Sequence, residues 1–108
     1  MPREITVTQL KKRLDANEPV YLIDVRQPWE HDTAALPNSL LLPLHQLSAR
    51  AAEVSPPPGA LVVVYCHHGI RSLSGAALLE RLGLPDVVSL AGGIDAWSLA
   101  IDPKVARY

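Results

Sequence analysis

The sequence predicts an α/β protein built on an open, mostly parallel twisted sheet with helices on both faces. Three observations lead there. Strand-like and helix-like stretches alternate along the chain. The strand-like runs Val20-Tyr21-Leu22-Ile23-Asp24 and Leu61-Val62-Val63-Val64-Tyr65 are apolar at successive positions rather than at every second one. That pattern suits strands covered on both faces. Finally, three clusters follow or close apolar runs: Asp24-Val25-Arg26, Cys66 to Arg71, and Ala91-Gly92-Gly93. Ligands of such sheets bind beyond the carboxyl ends of the strands, where these clusters fall.

The elements follow in order. Thr6-Val7-Thr8-Gln9 reads as a capping box, with Thr6 as the cap and Gln9 reaching back to it. Leu10 and Leu14 mark one face of the helix it opens, which ends near Asn17 and is stopped by Pro19. The Val20–Asp24 strand comes next. Arg26-Gln27-Pro28-Trp29-Glu30 forms a turn or a single helical turn, with Pro28 at its start. Leu40-Leu41-Leu42 is a short strand closed by Pro43, and Leu44, Leu47 and Ala51 have the spacing of a short helix. Ser55-Pro56-Pro57-Pro58-Gly59 is a loop, too short and too central to link two domains. The strongest strand, Leu61–Tyr65, leads into Cys66. The helix beyond runs to about Leu82 with Gly75, Leu78, Leu79 and Leu82 on one face, Gly83 as its C-terminal cap and Pro85 just after. Val87-Val88-Ser89-Leu90 is the last strand, Gly92-Gly93 turns the chain, and Ile94 to Ala100 closes it as a short helix.

Composition bounds the rest. The 108 residues have the size of one domain, expected to span 1–108 and to bury a core without staples. With no Phe, that core rests on Leu, Val, Ile and Ala. Ten Lys and Arg against eleven Asp and Glu leave a net charge of −1 and no basic stripe, which argues against a nucleic-acid partner. No apolar run has the length of a membrane span, and no signal-peptide pattern opens the chain. A single cysteine forms no intrachain disulfide, so a reducing cytoplasm is the expected compartment.

That cysteine, Cys66, stands where a buried strand ends and a helix begins, in Tyr65-Cys66-His67-His68-Gly69-Ile70-Arg71-Ser72. Free backbone N–H groups at such a junction stabilise a thiolate or a bound anion. A nucleophilic cysteine is therefore favoured over a buried structural thiol. Gly69 is expected to supply a positive φ for the curl of the loop. His67 and His68 beside Cys66 raise the question of a metal, but sequence neighbours rarely aim at one ion and no spaced ligand pair completes the set, so none is expected. One of the two histidines is expected to fill the loop and the other to face solvent. Arg71 opens the helix, where the dipole favours anions, so it needs an acidic partner or an anionic ligand. A brace against Glu30 or Asp24, Glu30 first, is favoured over substrate binding. His31 and His45 read as surface residues, and Trp97 as either core or site mouth.

Taken together, these stretches resemble the rhodanese (sulfurtransferase) family, specifically its single-domain members. The resemblance rests on Leu22 to Glu30, on Leu36-Pro37-Asn38-Ser39 with Leu42-Pro43-Leu44, on Val64 to Ser72, and on Leu90-Ala91-Gly92-Gly93-Ile94-Asp95-Ala96-Trp97, which cover most of the chain in order. The sequence departs from relatives at Ala34-Ala35, where Gly-His is common, and at Asn38-Ser39, where Gly-Ala is common. The resemblance implies a twisted parallel sheet and a Cys66 that accepts a sulfane sulfur as a persulfide. The loop His67, His68, Gly69, Ile70 and Arg71 would curl into a cup whose N–H groups hold it, with Asp24, Arg26 and Glu30 in support. The donor would be thiosulfate, a polysulfide or a persulfide, and the acceptor cyanide, a thiol or a relay protein's cysteine, with no metal or organic cofactor. Thiosulfate-selective relatives often carry Arg or Lys where this chain has His67 and His68, which weakens the case for thiosulfate.

The alternatives are a non-catalytic binding module of the same fold, and a cysteine-dependent phosphatase or arsenate reductase. The intact Cys66 argues against the first. Against the second, only four residues separate Cys66 from Arg71, one fewer than in cysteine phosphatases, and the tighter cup suits one sulfur better than a tetrahedral phosphate.

Overall fold

The structure is a computed structural model that describes residues 3–108. Five strands form one sheet in the order β1-β5-β4-β2-β3: β1 (Arg3–Ile5), β2 (Val20–Asp24), β3 (Leu40–Leu41), β4 (Leu61–Tyr65) and β5 (Val87–Leu90). Every pairing is parallel, so the sheet is wholly rather than mostly parallel. The helices are α1 (Val7–Asp15), α2 (Pro28–Thr33), α3 (Arg71–Arg81) and α4 (Gly93–Ala100).

The run of apolar residues in β4 divides between two cores because successive side chains point to opposite faces. Leu61, Val63 and Tyr65 pack with Val7 and Leu10 of α1 and with Ile94 and Trp97 of α4. Val62 and Val64 pack with Ala76 and Leu79 of α3 and with Leu47. Both faces are therefore covered, and Trp97 is a core residue. Helix α3 lies close on the sheet at Gly75, where an added Cβ would stand 3.2 Å from Val64 and 3.3 Å from Val25.

Chain direction reverses between β2 and β4. From β2 the chain moves outward to β3, and from β4 it moves outward the other way to β5. The crevice at such a switch point is where parallel sheets place their sites, and Cys66 follows β4 at that crevice. Tyr65, at the end of β4, fastens the segment after α2 beside it: its hydroxyl accepts from the Leu36 N–H at 3.1 Å and shares a 2.8 Å hydrogen bond with Ser39. Burial pushes the Tyr65 phenol up to about 12, so it remains a neutral hydrogen-bonding group.

Thr6 caps α1 through the full capping box with Gln9. Elsewhere the structure departs from the sequence reading. The stretch spaced as a helix from Leu44 to Ala51 forms two separate 3₁₀ turns, Leu44–Gln46 and Ala51–Glu53. A segment this short cannot offset the cost of helix nucleation, so the chain makes local turns and buries Leu47 alone. Leu82 leaves the apolar face because α3 ends at Arg81, and Leu14 also stands at the surface. The strand β1 was not anticipated. It carries one inward residue, Ile5, and exists through its pairing with β5.

Candidate active site

Cys66 is buried at the base of the loop that joins β4 to α3. Helix α3 has no side-chain cap, and the sulfur occupies the place of one. The Ser72 N–H, in the first turn, points at Cys66 Sγ from 3.4 Å, and the Gly69 N–H donates to it at 3.1 Å. A capping oxygen would accept the same kind of helix-start N–H. Gly69 reaches this position with φ +99°. Ser72 Oγ lies 3.5 Å from the sulfur and shares a 2.7 Å hydrogen bond with Ser89 of β5. Among the described residues, none accepts from the N–H groups of His68, Ile70 or Arg71. The sulfur thus accepts from two backbone donors, in a cup formed by a loop that carries three further N–H groups without an acceptor among the described residues.

The outer wall of the cup rests on α4. The carbonyls of Cys66 and His67 accept from the N–H groups of Ile94 at 2.9 Å and Asp95 at 3.1 Å. This fit requires Gly93: a Cβ there would stand 2.5 Å from the Cys66 carbonyl oxygen and 2.4 Å from that of His67. The turn Ala91-Gly92-Gly93 is therefore part of the cup rather than a bare connection.

Arg71 pairs with an acid. Its guanidinium meets the buried carboxylate of Glu30 through two hydrogen bonds, 2.7 and 2.9 Å long. Although burial opposes it, this pairing holds the Glu30 carboxyl down at about 2. Asp24, the other partner considered for Arg71, is engaged elsewhere. It receives Arg26 Nε at 2.8 Å, Arg26 Nη2 at 2.7 Å, the Arg26 N–H at 3.0 Å and His31 Nδ1 at 2.8 Å. Its two oxygens are thereby filled, and Arg26 is wholly buried in that pair. His31, read from sequence as a plain surface residue, belongs to this network.

His67 and His68 line the other side. Their rings stack with centroids 3.9 Å apart, His67 half-buried and His68 exposed, while Ile70 is exposed at the rim. Burial first, then the neighbouring His68, push His67 below its ordinary pKa. One candidate ligand atom each from His67, His68 and Asp95 lies within 4.8 Å of the others. They do not form a good cation site, because imidazole lone pairs lie in the ring planes and those planes are stacked only 25° apart. Asp95 is moreover held by Arg107 at 2.9 Å.

The structure thus gathers Cys66 and the loop 67–71 into one cup, with Glu30 behind Arg71 and the Asp24–Arg26 pair beyond. Sequence reasoning missed Ser72, Ser89, Gly93 as a packing requirement, Asp95 and Tyr108. Only Gly93 had a visible signal, the Gly92-Gly93 doublet.

A model of the rhodanese-like domain matches residues 6–100. The chain is 39% identical over 106 residues to a sulfurtransferase of Allochromatium vinosum, covering 98% of this chain and 97% of that one. It is 33% identical over 104 residues to the probable adenylyltransferase/sulfurtransferase MoeZ of Mycobacterium tuberculosis, of which it spans only 26%. Among solved structures, a rhodanese-like domain protein of Staphylococcus aureus superposes with a TM-score of 0.81 at 27% identity, covering 98% of both chains. The sheet order, the cup around the strand-end cysteine and these likenesses agree, and the chain belongs to the rhodanese-like family.

Proposed function

We infer that the protein is a sulfurtransferase that carries a sulfane sulfur on Cys66. The observation that bears most weight is the convergence of the Gly69 and Ser72 N–H groups on Cys66 Sγ. In the first step the Cys66 thiolate attacks the outer sulfur of a donor. A Cys66 sulfur–sulfur bond forms, the donor's own sulfur–sulfur bond breaks, and the donor leaves as a thiolate, or as sulfite when it is thiosulfate. The negative charge then rests on the outer sulfur, and the loop N–H groups of His68, Ile70 and Arg71, which have no acceptor among the described residues, are the donors assigned to hold it. In the second step an acceptor thiolate or cyanide attacks that outer sulfur, and the Cys66 thiolate is released. No electrons enter or leave the protein, and no metal or organic cofactor takes part.

Charge at the mouth favours an organic persulfide or polysulfide over thiosulfate. Arg71 is neutralised by Glu30, and His67 is pushed toward its neutral form. A doubly charged donor therefore meets little fixed positive charge. A protein cysteine on a relay partner is a fitting acceptor, since the similar segment of MoeZ lies within a longer adenylyltransferase/sulfurtransferase. No helix of the described residues is long and apolar enough to cross a membrane.

Intact-mass measurement after incubation with a small organic persulfide, whose terminal sulfur is transferred as its thiolate leaves, tests the reading. Wild-type protein should gain one sulfur atom and lose it to added cyanide, and Cys66→Ala should gain none. Equal uptake by the two proteins, or none by wild type, would refute it.

A further inference from the structure

Tyr108 stands where three parts of the site meet. Its hydroxyl lies 2.8 Å from Arg26 Nη1 and 2.7 Å from Glu30 Oε2. An arginine can only donate and a carboxylate can only accept, so the direction is fixed: the hydroxyl accepts from Arg26 and donates to Glu30. Glu30 Oε1 already receives Arg71 Nη1 and the Gln27 N–H, and Oε2 receives Arg71 Nη2. Tyr108 fills the last position on that carboxylate. Among the described residues, it is the direct hydrogen-bonded link between the Arg26–Asp24 pair and the Arg71–Glu30 pair.

Its ring does a second thing. It stacks on His67 with centroids 3.9 Å apart and planes 9° apart, and Trp29 meets it edge-on at 5.6 Å. His67 is thus sandwiched between Tyr108 and His68. Its Nε2 is buried with no hydrogen-bond partner among the described residues. A second proton on that ring would therefore be poorly accommodated.

We propose that Tyr108 is a positioning residue of the sulfur-transfer site: its ring seats His67 against the cup, and its hydroxyl locks the Arg71 brace to the Arg26–Asp24 pair. The inference rests on the sulfurtransferase reading, because it assigns Tyr108 a part in the same site. The charged and titratable groups facing His67 are His68 and Asp95 on one side, Glu30, Arg71 and Tyr108 on the other, with Cys66 adjacent in the chain. Removing the ring opens His67 to water and frees it to protonate. Removing only the hydroxyl leaves the stack in place.

Two variants separate these parts, Tyr108→Leu and Tyr108→Phe, each compared with wild type below its melting temperature. Sulfur uptake from a small organic persulfide is followed against pH, and the His67 ring is titrated by NMR. Tyr108→Leu should slow uptake about tenfold, the scale of loss expected for a loosened site. It should also raise the His67 midpoint and give the pH–rate profile a new inflection there. Tyr108→Phe should retain the low His67 midpoint and the wild-type profile shape, with a smaller fall in rate. If Tyr108→Leu only melts earlier, with rate and profile unchanged, Tyr108 is merely structural and the proposal fails. If Tyr108→Phe shifts the His67 midpoint as far as Tyr108→Leu, the role given to the ring is wrong. Wild-type protein that takes up no sulfur defeats the sulfurtransferase reading instead, and the His67 titrations still decide whether Tyr108 holds that ring.

Discussion

Arg71 and Glu30, 41 positions apart in sequence, form a two-point ion pair behind the cup, with guanidinium–carboxylate distances of 2.7 and 2.9 Å. A cation at the first turn of a helix works against the helix dipole, so Arg71 needs compensation, and α2 supplies it. Pro28 starts that helix, and Glu30 closes a hydrogen bond back to the Gln27 N–H. The same carboxylate therefore caps α2 and anchors α3. Because Arg71 is bound this way, its guanidinium braces the loop that curls around Cys66.

Replacing Arg71 should damage stability and chemistry together. Arg71→Ala leaves the Glu30 carboxylate buried with two of its donors gone, a loss of about 2 kcal/mol once water at the partly exposed guanidinium is allowed for. For a domain of this size that lowers the melting temperature by roughly 10 °C or more. Sulfur uptake should fall for singly and doubly charged donors alike. Arg71→Lys restores charge but not the two-point geometry, and should recover only part of either loss. The check is a melting curve alongside uptake from thiosulfate and from a singly charged organic persulfide. A loss confined to thiosulfate, with an unchanged melt, would make Arg71 a substrate ligand instead.

The same pair sets an acid limit. The Glu30 carboxyl sits at about 2 in the folded protein against an ordinary 4.5. The folded value is depressed, so this contribution is fully present above the unfolded pKa and is lost as pH falls from about 4.5 toward 2. The shift corresponds to about 3 kcal/mol, and water at the half-exposed Arg71 screens it to roughly 2 kcal/mol. Denaturant unfolding across that interval should show wild-type stability falling more steeply with acid than that of Glu30→Gln. Parallel slopes would show that Glu30 contributes no proton linkage.

How much of this was legible in sequence depended on distance along the chain. The strand-end cysteine, the positive φ of Gly69 and the need of Arg71 for an acid all follow from residues within one or two elements. Periodicity reports only an element's own faces, so Tyr108, which touches Glu30 from 78 positions away, carried no signal. Ser72 was hidden differently. It reads as an ordinary helix residue, and its role appears only when its N–H is seen to meet Cys66 Sγ. The short strand β1 was invisible because only Ile5 of its three residues is buried. The Leu44–Ala51 stretch misled because helical spacing over so few residues does not make a helix.

Two glycine substitutions should separate backbone strain from damage to the cup. Gly59 has φ +80° in the proline-rich loop, with nothing within 4 Å of an added Cβ. Gly59→Ala therefore adds only left-handed strain, about 1 kcal/mol, and sulfur uptake should match wild type. Gly93 has φ +62°, and its added Cβ would also strike the carbonyl oxygens of Cys66 and His67 at 2.5 and 2.4 Å. Those are backbone atoms, so relief requires the cup itself to move. They also accept from α4, so moving them breaks the hydrogen bonds to the Ile94 and Asp95 N–H groups. Gly93→Ala should cost about 3 kcal/mol and should slow sulfur uptake at least tenfold even where the variant remains folded, because displacing the cup misaligns its donors. Melting curves and uptake rates of both variants, taken well below either midpoint, provide the comparison. A Gly93→Ala protein that melts early but takes up sulfur at the wild-type rate would show that the α4 turn supports the fold without shaping the cup.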